Sequence, residues 1–351
     1  MSKNFTDSWP SVFLALVCAL LIFPAGLATQ ANAAILLRAG SSEPEGTTGQ
    51  AFAIGKLCEL ATKLSNGELN AQPFYQSLGV AKQLTQAVMS GSVDIGDAAS
   101  ANLAPFTDAF LPLELPFLFK TDRDFIEFVK AHQAGKRAIA QFEKDVRVKT
   151  LLFTSHSYDA EVNGTDIQTR NKLVKVPADI KGLKLRTTTT PVEIALGKAY
   201  GANPSPVDWG QAYSALQQGV VDGAMGTPLP PYAAIKLYEV TKYYVALGLR
   251  HNLFPIYMNQ KKFDSLTPFQ QKALLDAAAQ TEVLAQQFVR DKVKAAIDEV
   301  TKAGVQIYYP TKEEMAKWMS VRETVWQQVA NEFKGKIDLK VADEIYSLYQ
   351  H

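Results

Sequence analysis

An alternation of strand and helix patterns near the start of the chain constrains its fold more than any other feature of the sequence. Short apolar runs are separated by segments in which apolar residues recur every three or four positions, as Ile54, Leu57 and Ala61 do. The pattern predicts a strand at 35–40, a helix to about Ser65, a strand at 68–75, a helix at 79–90 and a strand from Val93 to Ala98. This βαβαβ order indicates a parallel-dominated sheet with helices on both faces.

A second unit of the same kind begins near residue 158. It contains a strand at Lys184–Thr187, a helix at Pro191–Tyr200, an extended segment at Pro204–Val207, a helix at Gly210–Gln218 and a strand at Val221–Met225. Residues 237–259 are predicted to form two long strands that return the chain to the first unit. Thr311 and Glu314 form a capping box that opens a later helix, predicted to extend to about Phe333.

Pro268 to Ala303 forms one continuous helical pattern, with Thr267 as its N-cap and Gly304 at the C′ position. One face of this helix is apolar and consists of Leu274, Ala278, Ala285, Val289, Ala296 and Val300. A helix of this length spans ~54 Å at 1.5 Å per residue, which is more than one domain requires. We therefore expect it to brace two domains.

Charge and composition exclude two classes of protein. The chain has 351 residues, with 36 Lys and Arg against 35 Asp and Glu, and a formal net charge of +1. Nucleic-acid-binding proteins carry clustered basic residues and a high isoelectric point, so we predict no nucleic-acid partner. Because 47% of the residues are hydrophobic and 20% are charged, the composition is also unlike that of a disordered chain.

Residues 1–33 have the features of a secretory signal peptide. The apolar run Ser11–Leu27 is followed by the small-x-small site Ala31–Ala33, which predicts cleavage before Ala34. An uncleaved membrane anchor is the alternative, although the run is shorter than the ~20 residues that a spanning helix needs. We predict a periplasmic mature protein that does not span the membrane, with Cys58 as a buried cysteine that has no disulfide partner.

The sequence contains none of the usual catalytic motifs, such as HExxH, GxSxG, a P-loop, CxxC or GxGxxG after a strand. Its four histidines, at positions 132, 156, 251 and 351, are not spaced as metal ligands. We therefore predict that the protein is not an enzyme and uses neither a metal nor a cofactor.

Arg186 is a candidate binding residue because it lies at the end of an apolar strand, just before the chain turns into a helix. A guanidinium at the carboxyl end of a strand can hold a carboxylate through two parallel hydrogen bonds. The alternative is a surface arginine that pairs with a neighbouring acid.

Several motifs occur in a fixed order along the chain: Gln76-Ser77-Leu78-Gly79, LELPFLF at Leu113–Phe119, Asp179-x-Lys181-Gly182-Leu183-Lys184-x-Arg186, Tyr213-x-Ala215-Leu216-Gln217-x-Gly219-Val220-Val221-Asp222-Gly223 and Tyr238-Glu239-Val240-x-Lys242-Tyr243. In these motifs the chain resembles the DctP-type solute-binding proteins of TRAP transporters, over nearly all of the mature sequence. The resemblance implies a two-domain α/β fold of the periplasmic-binding-protein type with a long bracing helix across both domains. We place the first domain at 34–157 plus about 250–285 and the second at 158–249 plus about 286–351, with the ligand cleft between them.

The resemblance also implies roles for individual residues. Arg186 corresponds to the family's arginine that pairs with the ligand carboxylate, and Trp209 to an aromatic residue that packs on the ligand. The alternative for Trp209 is a core tryptophan. Gly226 stands where many members have Asn, and Met225 where many have Glu. These two departures imply a roomier, more apolar pocket wall.

A second arginine that some sugar-acid binders use aligns near Asp166, so it is absent or replaced. Tyr158, Asn102 and Ser100 are candidates for the remaining polar contacts with the ligand.

The resemblance implies a receptor that binds a small organic acid and delivers it to the small and large permease subunits of a sodium-coupled transporter. A binding protein that serves a sensor is one alternative, since it would share every pocket residue. An enzyme that uses the same cleft is another, but it would need a nucleophile and a base near Arg186.

Overall fold

The computed structural model of the protein describes residues 33–349. The predicted signal peptide falls, apart from Ala33, outside the described residues, and so does His351. Within the described range the chain contains two β-sheets and thirteen α-helices.

The first sheet has the strand order β2-β1-β3-β10-β4. Its strands are β1 (Ile35–Ser41), β2 (Leu69–Tyr75), β3 (Ile95–Asp97), β4 (Val148–Thr154) and β10 (Phe254–Asn259). β1 pairs in parallel with β2 and β3, as predicted. β10 pairs antiparallel with both β3 and β4, because it enters the sheet as the chain returns from the second unit. The sheet is therefore mixed.

The second sheet has the strand order β11-β9-β5-β8-β6-β7. Its strands are β5 (Thr165–Thr169), β6 (Lys184–Thr187), β7 (Asn203–Pro206), β8 (Gly223–Thr227), β9 (Tyr243–Arg250) and β11 (Gln306–Tyr308). β6 lies between β7 and β8 and is parallel to both, so the carboxyl ends of these three strands share one edge. Ligands of α/β sheets bind at such edges.

Helices cover the faces of both sheets. They are α1 (Gly49–Leu64), α2 (Ala81–Ser90), α3 (Asp122–Ala131), α4 (Gln133–Val146), α5 (Pro177–Ile180), α6 (Pro191–Ala199), α7 (Ala212–Gln217), α8 (Leu229–Ala234), α9 (Gln260–Asp264), α10 (Pro268–Lys302), α11 (Lys312–Ser320), α12 (Arg322–Glu332) and α13 (Leu339–Tyr349). None of the helices in residues 33–349 is long and apolar enough to cross a membrane.

The long helix α10 confirms the predicted brace. The Thr267 side chain caps its first turn through the backbone N–H of Gln270, and the predicted apolar face is buried. α10 packs against α1 and β4 beside the first sheet and against α8 and β11 beside the second. One continuous helix therefore joins the two halves of the fold.

The helix predicted between Thr311 and Phe333 is two helices, so that prediction was wrong. α11 begins at the predicted capping box, but it ends at Ser320, and α12 begins at Arg322. The Ser320 hydroxyl donates to the Lys317 carbonyl, a bond that competes with the backbone ladder of a continuing helix.

Three connections run between the sheets: from β4 to β5, from β9 to β10, and from β10 through α10 to β11. Asp122 binds the first two. Its carboxylate accepts hydrogen bonds from the backbone N–H of Ser157 at 3.1 Å, in the first connection, and of Asn252 at 3.0 Å, in the second. The Ser157 hydroxyl and His251 Nδ1 complete the set, at 2.5 and 3.0 Å. This buried carboxylate therefore holds the two connections side by side.

The hydrophobic core also continues from one half of the fold to the other. The Trp326 indole in α12 donates to the Pro116 carbonyl at 2.9 Å, and Tyr349 in α13 packs on Phe119 and Phe128. The C-terminal helices thus contact the segment of the chain between β3 and β4 of the first sheet. The domain boundaries given above remain predictions.

Candidate functional site

Arg186 is the third residue of β6, at the shared edge of the three parallel strands. Its side chain is buried, with 2% of its surface exposed. Nε donates to the Val207 carbonyl at 3.0 Å, and this is its one hydrogen bond within residues 33–349. In that range it forms no ion pair with a carboxylate, so its terminal amino groups have no acidic partner among the described residues.

Trp209 lies directly beside this guanidinium. It is the first residue of a 3-10 helix at Trp209–Gln211, and it is half-buried. The centroid of its ring is 5.3 Å from Cζ of Arg186. That distance is within the range of a cation–π contact. The structure therefore brings together the two residues that the sequence singled out.

Two nearby carboxylates offset part of the positive charge of Arg186. Burial lowers the pKa of its guanidinium below the ordinary value, and the nearby carboxylates of Glu193 and Asp208 act in the opposite direction. An arginine remains protonated under such opposing effects. The site is thus a fixed positive charge with an aromatic face above it.

Glu193 connects Arg186 to a buried polar cluster. It is in the first turn of α6, where Oε2 accepts from the Thr188 backbone N–H at 2.9 Å and from the Thr188 hydroxyl at 2.6 Å. Its other oxygen accepts from Arg250. Glu193 therefore orients both the turn that follows Arg186 and a second arginine.

Arg250 lies at the end of β9 between two carboxylates. It donates to Glu193 and to Glu114, and the Ser100 hydroxyl donates to the far oxygen of Glu114. Burial alone would lower the pKa of Arg250, but the two carboxylates outweigh it and hold the pKa above its ordinary value. Burial raises the pKa of Glu114, against the opposing effects of Arg250 and Ser100.

The two buried arginines therefore differ in one respect that matters chemically. Arg250 has two carboxylate partners from the protein itself, so its role is structural. Arg186 has none among the described residues, so its positive charge is available to an added anion.

Gly226 lies beside Glu193 in this cluster. Its φ is +85°, and a Cβ built there would lie 3.0 Å from all three atoms of the Glu193 carboxyl group. The carboxylate of Glu193 thus occupies the space that a side chain at position 226 would fill, which explains why glycine is required.

The other predicted contacts are spread more widely. Met225 is buried in the same core cluster as Ile167 and Leu185, and it lies opposite Ile167 in the second sheet. Asn102 is half-buried in the 3-10 helix that begins at Ser100. The Tyr158 ring stacks under Arg290 at 4.8 Å, beside the first connection between the sheets.

Asp166, which aligns near the second arginine of some sugar-acid binders, binds the backbone of β9. Its carboxylate accepts from the N–H groups of Leu247 and Gly248 at 2.7 and 2.9 Å and from the Tyr244 hydroxyl at 2.7 Å. Burial raises its pKa to about 7, despite these hydrogen bonds. The residue is structural and supplies no positive charge to the pocket.

Sequence reasoning missed Glu114, Glu193 and Arg250. Glu114 lies within the apolar segment LELPFLF, and Arg250 closes an apolar strand. A charged residue inside an apolar run indicates a buried ion pair, because an unpaired buried charge is costly. That signal was present, but it does not say which charges pair.

Two surface grooves lie apart from this cluster. One, of about 430 Å³, lies among α4, β4 and α10, and the other, of about 250 Å³, lies beside Tyr309 and β9. Neither is lined by Arg186 or Trp209. Within residues 33–349 no three His, Cys, Asp or Glu side chains are grouped as metal ligands.

Comparison with known proteins agrees with the fold and the motifs. The family model of the bacterial extracellular solute-binding proteins of family 7 (DctP) matches residues 39–332. The 2,3-diketo-L-gulonate-binding periplasmic protein YiaO of Escherichia coli is 31% identical over 293 residues, which cover 82% of this chain and 85% of that protein. The C4-dicarboxylate-binding periplasmic protein DctP of Rhodobacter capsulatus is 27% identical and covers 78% of this chain and 80% of its own length.

A solved structure has a similar fold. A TRAP periplasmic solute-binding protein from Roseobacter denitrificans, with bound β-D-glucuronate, superposes with a TM-score of 0.78 at 23% identity, over 90% of this chain and 99% of that one. Relatives of this kind are solute receptors and not enzymes. The chain belongs to the bacterial extracellular solute-binding proteins of family 7, the periplasmic receptors of TRAP transporters.

Proposed function

We propose that this receptor binds a small organic acid, whose carboxylate pairs with Arg186 and whose carbon skeleton packs on Trp209. The observation that carries the proposal is the contrast between the two buried arginines: Arg250 is paired twice, whereas Arg186 makes one bond to a backbone carbonyl. The planar guanidinium suits a carboxylate that accepts two parallel hydrogen bonds.

The names of the relatives support an acid as the ligand. Diketogulonate and the C4-dicarboxylates, which are named for the two relatives described above, are carboxylates of six and four carbon atoms. Their chemistry matches a pocket with one available guanidinium and one aromatic face. The identity of the acid is not implied by these names.

Binding is proposed to occur between two hinged domains, divided as in the sequence analysis. Closure removes water from the carboxylate–guanidinium pair, and the attraction of the two charges rises as the local dielectric constant falls. Ser100, Asn102, Tyr158, Gly226 and Met225 remain proposed contacts or wall residues.

We also propose that the receptor delivers its ligand to a membrane permease. After removal of residues 1–33 the receptor acts in the periplasm and passes its ligand to the small and large TRAP permease subunits, with sodium as the driving ion. Uptake by proteoliposomes that contain both subunits tests this step: transport should require the receptor, its ligand and an inward sodium gradient. Ligand uptake without the receptor would contradict the proposal.

A thermal-shift screen of organic acids on ligand-stripped protein identifies candidate ligands, because a ligand that binds the folded state stabilises it by RT ln(1 + [L]/Kd). Each hit is then titrated into wild type, Arg186→Ala and Arg322→Ala. Arg322 is a matched control, since its guanidinium also stacks on a tryptophan, Trp326, at 5.0 Å. Loss of binding in Arg186→Ala alone is expected, and equal loss in both variants would contradict the assignment.

A further inference from the structure

The charges around Arg186 limit what else the ligand can carry. In the buried cluster, the positive charges of Arg186 and Arg250 are matched by the negative charges of Glu114 and Glu193. Asp208, at the surface, adds a further negative charge near Arg186. One ligand carboxylate therefore already leaves the cluster with an excess of negative charge, and the described residues place no additional cation in it.

We infer that Glu193 is a specificity-determining residue, which excludes a second carboxylate from the ligand and accepts a hydrogen bond from a ligand hydroxyl in its place. The inference rests on the proposed function, because it concerns the remainder of an acid whose first carboxylate is on Arg186. The ligand class is then a hydroxylated monocarboxylate and not a dicarboxylate.

The position of the Glu193 carboxylate supports this role. It is bordered by Gly226, which presents no side chain between the carboxylate and the edge of β8. Its Oε1 accepts one hydrogen bond, from Arg250, and a carboxylate oxygen can accept two. One lone pair therefore remains for a donor, and a hydroxyl is a donor whereas an ionised carboxylate is not.

Electrostatic repulsion strengthens the selection against a second ligand carboxylate. A second carboxylate near Glu193 would meet a like charge in a poorly solvated region, and like charges a few ångströms apart repel far more there than in water. Arg250 offers little compensation, because Glu114 and Glu193 already balance its positive charge. Removal of either carboxylate would leave one buried positive charge of the cluster unmatched, which is itself costly.

Matched pairs of acids test the inference. D-Gluconate and D-glucarate, D-galactonate and galactarate, and L-threonate and L-tartrate differ within each pair only by a terminal hydroxymethyl or carboxylate group. Calorimetry at fixed ionic strength gives the affinity ratio of each pair for wild type, Glu193→Gln and Glu114→Gln. Wild type should bind the monocarboxylate of at least one pair more than tenfold tighter than its diacid.

The two variants separate charge exclusion from structural damage. Each removes one carboxylate from Arg250, but of the two carboxylates only that of Glu193 also acts electrostatically on Arg186. Glu193→Gln should reduce the ratio at least fivefold, and Glu114→Gln should leave the ratio within twofold even if both affinities fall. Equal changes in the two variants would overturn the role of Glu193.

The wild-type ratios decide the ligand class even if Glu193→Gln does not fold. A diacid that binds as tightly as its monocarboxylate partner overturns the inference and leaves the proposed function standing, provided that Arg186→Ala abolishes binding of both. Binding that survives in Arg186→Ala, or a wild type that binds neither these six acids nor any organic acid of the thermal-shift screen, contradicts the proposed function as well.

Discussion

His251 Nδ1 lies 3.0 Å from the Asp122 carboxylate, where the β4–β5 and β9–β10 connections between the sheets lie side by side. Both side chains are buried, and Asp122 also accepts from the backbone of Ser157 and Asn252. An ionised carboxylate cannot donate, so the imidazole donates from Nδ1. This buried pair therefore ties together two of the connections between the sheets, where we expect a hinge between the proposed domains to lie.

Replacement of Asp122 by Asn should destabilise the fold by about 2–4 kcal/mol, because charge-assisted hydrogen bonds are lost from a buried group. Burial alone would raise the pKa of Asp122, but the hydrogen bonds from His251, Ser157 and Asn252 outweigh it and lower the pKa. A lowered pKa means that the stabilisation is present above ~4, the ordinary value for Asp, and is lost as the pH falls through the lower folded value.

Urea unfolding of wild type and Asp122→Asn at pH 7 and at pH 3 measures both effects. The difference in unfolding free energy should be largest at pH 7 and should shrink at pH 3. A difference that is the same at both pH values would show that the Asp122 carboxylate contributes no proton-linked stability.

Ionisation of Asp97 should change the stability of the fold in the opposite direction. Burial raises the pKa of Asp97 to about 7, although the Ser41 hydroxyl donates to it at 2.6 Å. Between ~4 and 7 the folded protein keeps a proton that the unfolded chain releases, so stability falls as the pH rises, by up to ~1.4 kcal/mol per pH unit. Asp97→Asn should remove this contribution, whereas that of Asp166 remains.

The check is the unfolding free energy of Asp97→Asn relative to wild type from pH 5 to pH 8. The variant should gain relative stability as the pH rises. A constant difference over this range would show that Asp97 titrates at its ordinary pKa.

Cys58 should be chemically inert in the folded protein. The residue is buried in α1, and burial raises the pKa of its thiol to about 12, which leaves almost no reactive thiolate at neutral pH. Cys58→Ala should cost about 1–2 kcal/mol as a small core truncation. A thiol reagent should react only after denaturant is added, and fast reaction of the native protein would contradict the packing of α1.

Trp209→Ala should weaken ligand binding by loss of contact area and not by loss of charge. Trp209 is half-buried, so the melting temperature of the free protein should change little, whereas Trp326→Ala removes a fully buried ring and should cost about 3–5 kcal/mol. Titration of Trp209→Ala with the acid and with its ester should show similar loss factors. A loss confined to the free acid would contradict this role.

Local signals account for the parts of the fold that the sequence predicted. The caps of α10 lie within a few residues of its ends, and its apolar face repeats along one helix. Arg186 and Trp209 are 23 positions apart and belong to one strand–helix–strand unit, so their meeting follows from the order of elements. Periodicity and capping encode such relationships directly.

Long-range pairing accounts for what was missed. Arg250 is separated from Glu114 by 136 positions and from Glu193 by 57, and no periodicity links residues that far apart. The antiparallel entry of β10 into the first sheet likewise depends on where the chain returns, and strand patterns do not specify direction. The sequence analysis named Gly226 as a pocket-wall residue but missed its neighbour Glu193 for the same reason, since the two are 33 positions apart.

The central claim is that Arg186 holds the ligand carboxylate, and calorimetry of three proteins tests it most directly. Arg186→Ala should weaken binding by about 2–5 kcal/mol, because the carboxylate would be buried without a partner. At ~1.4 kcal/mol per tenfold, this is roughly 30-fold to several thousand-fold. Arg186→Lys should recover only part of the loss, since an ammonium group cannot reproduce the planar fork.

The melting temperature of ligand-free Arg186→Ala serves as the control for folding, and it should stay close to that of wild type. With folding intact, a dissociation constant at least 30-fold higher than that of wild type is the result that this account predicts. A dissociation constant within threefold of wild type for the same acid would contradict it.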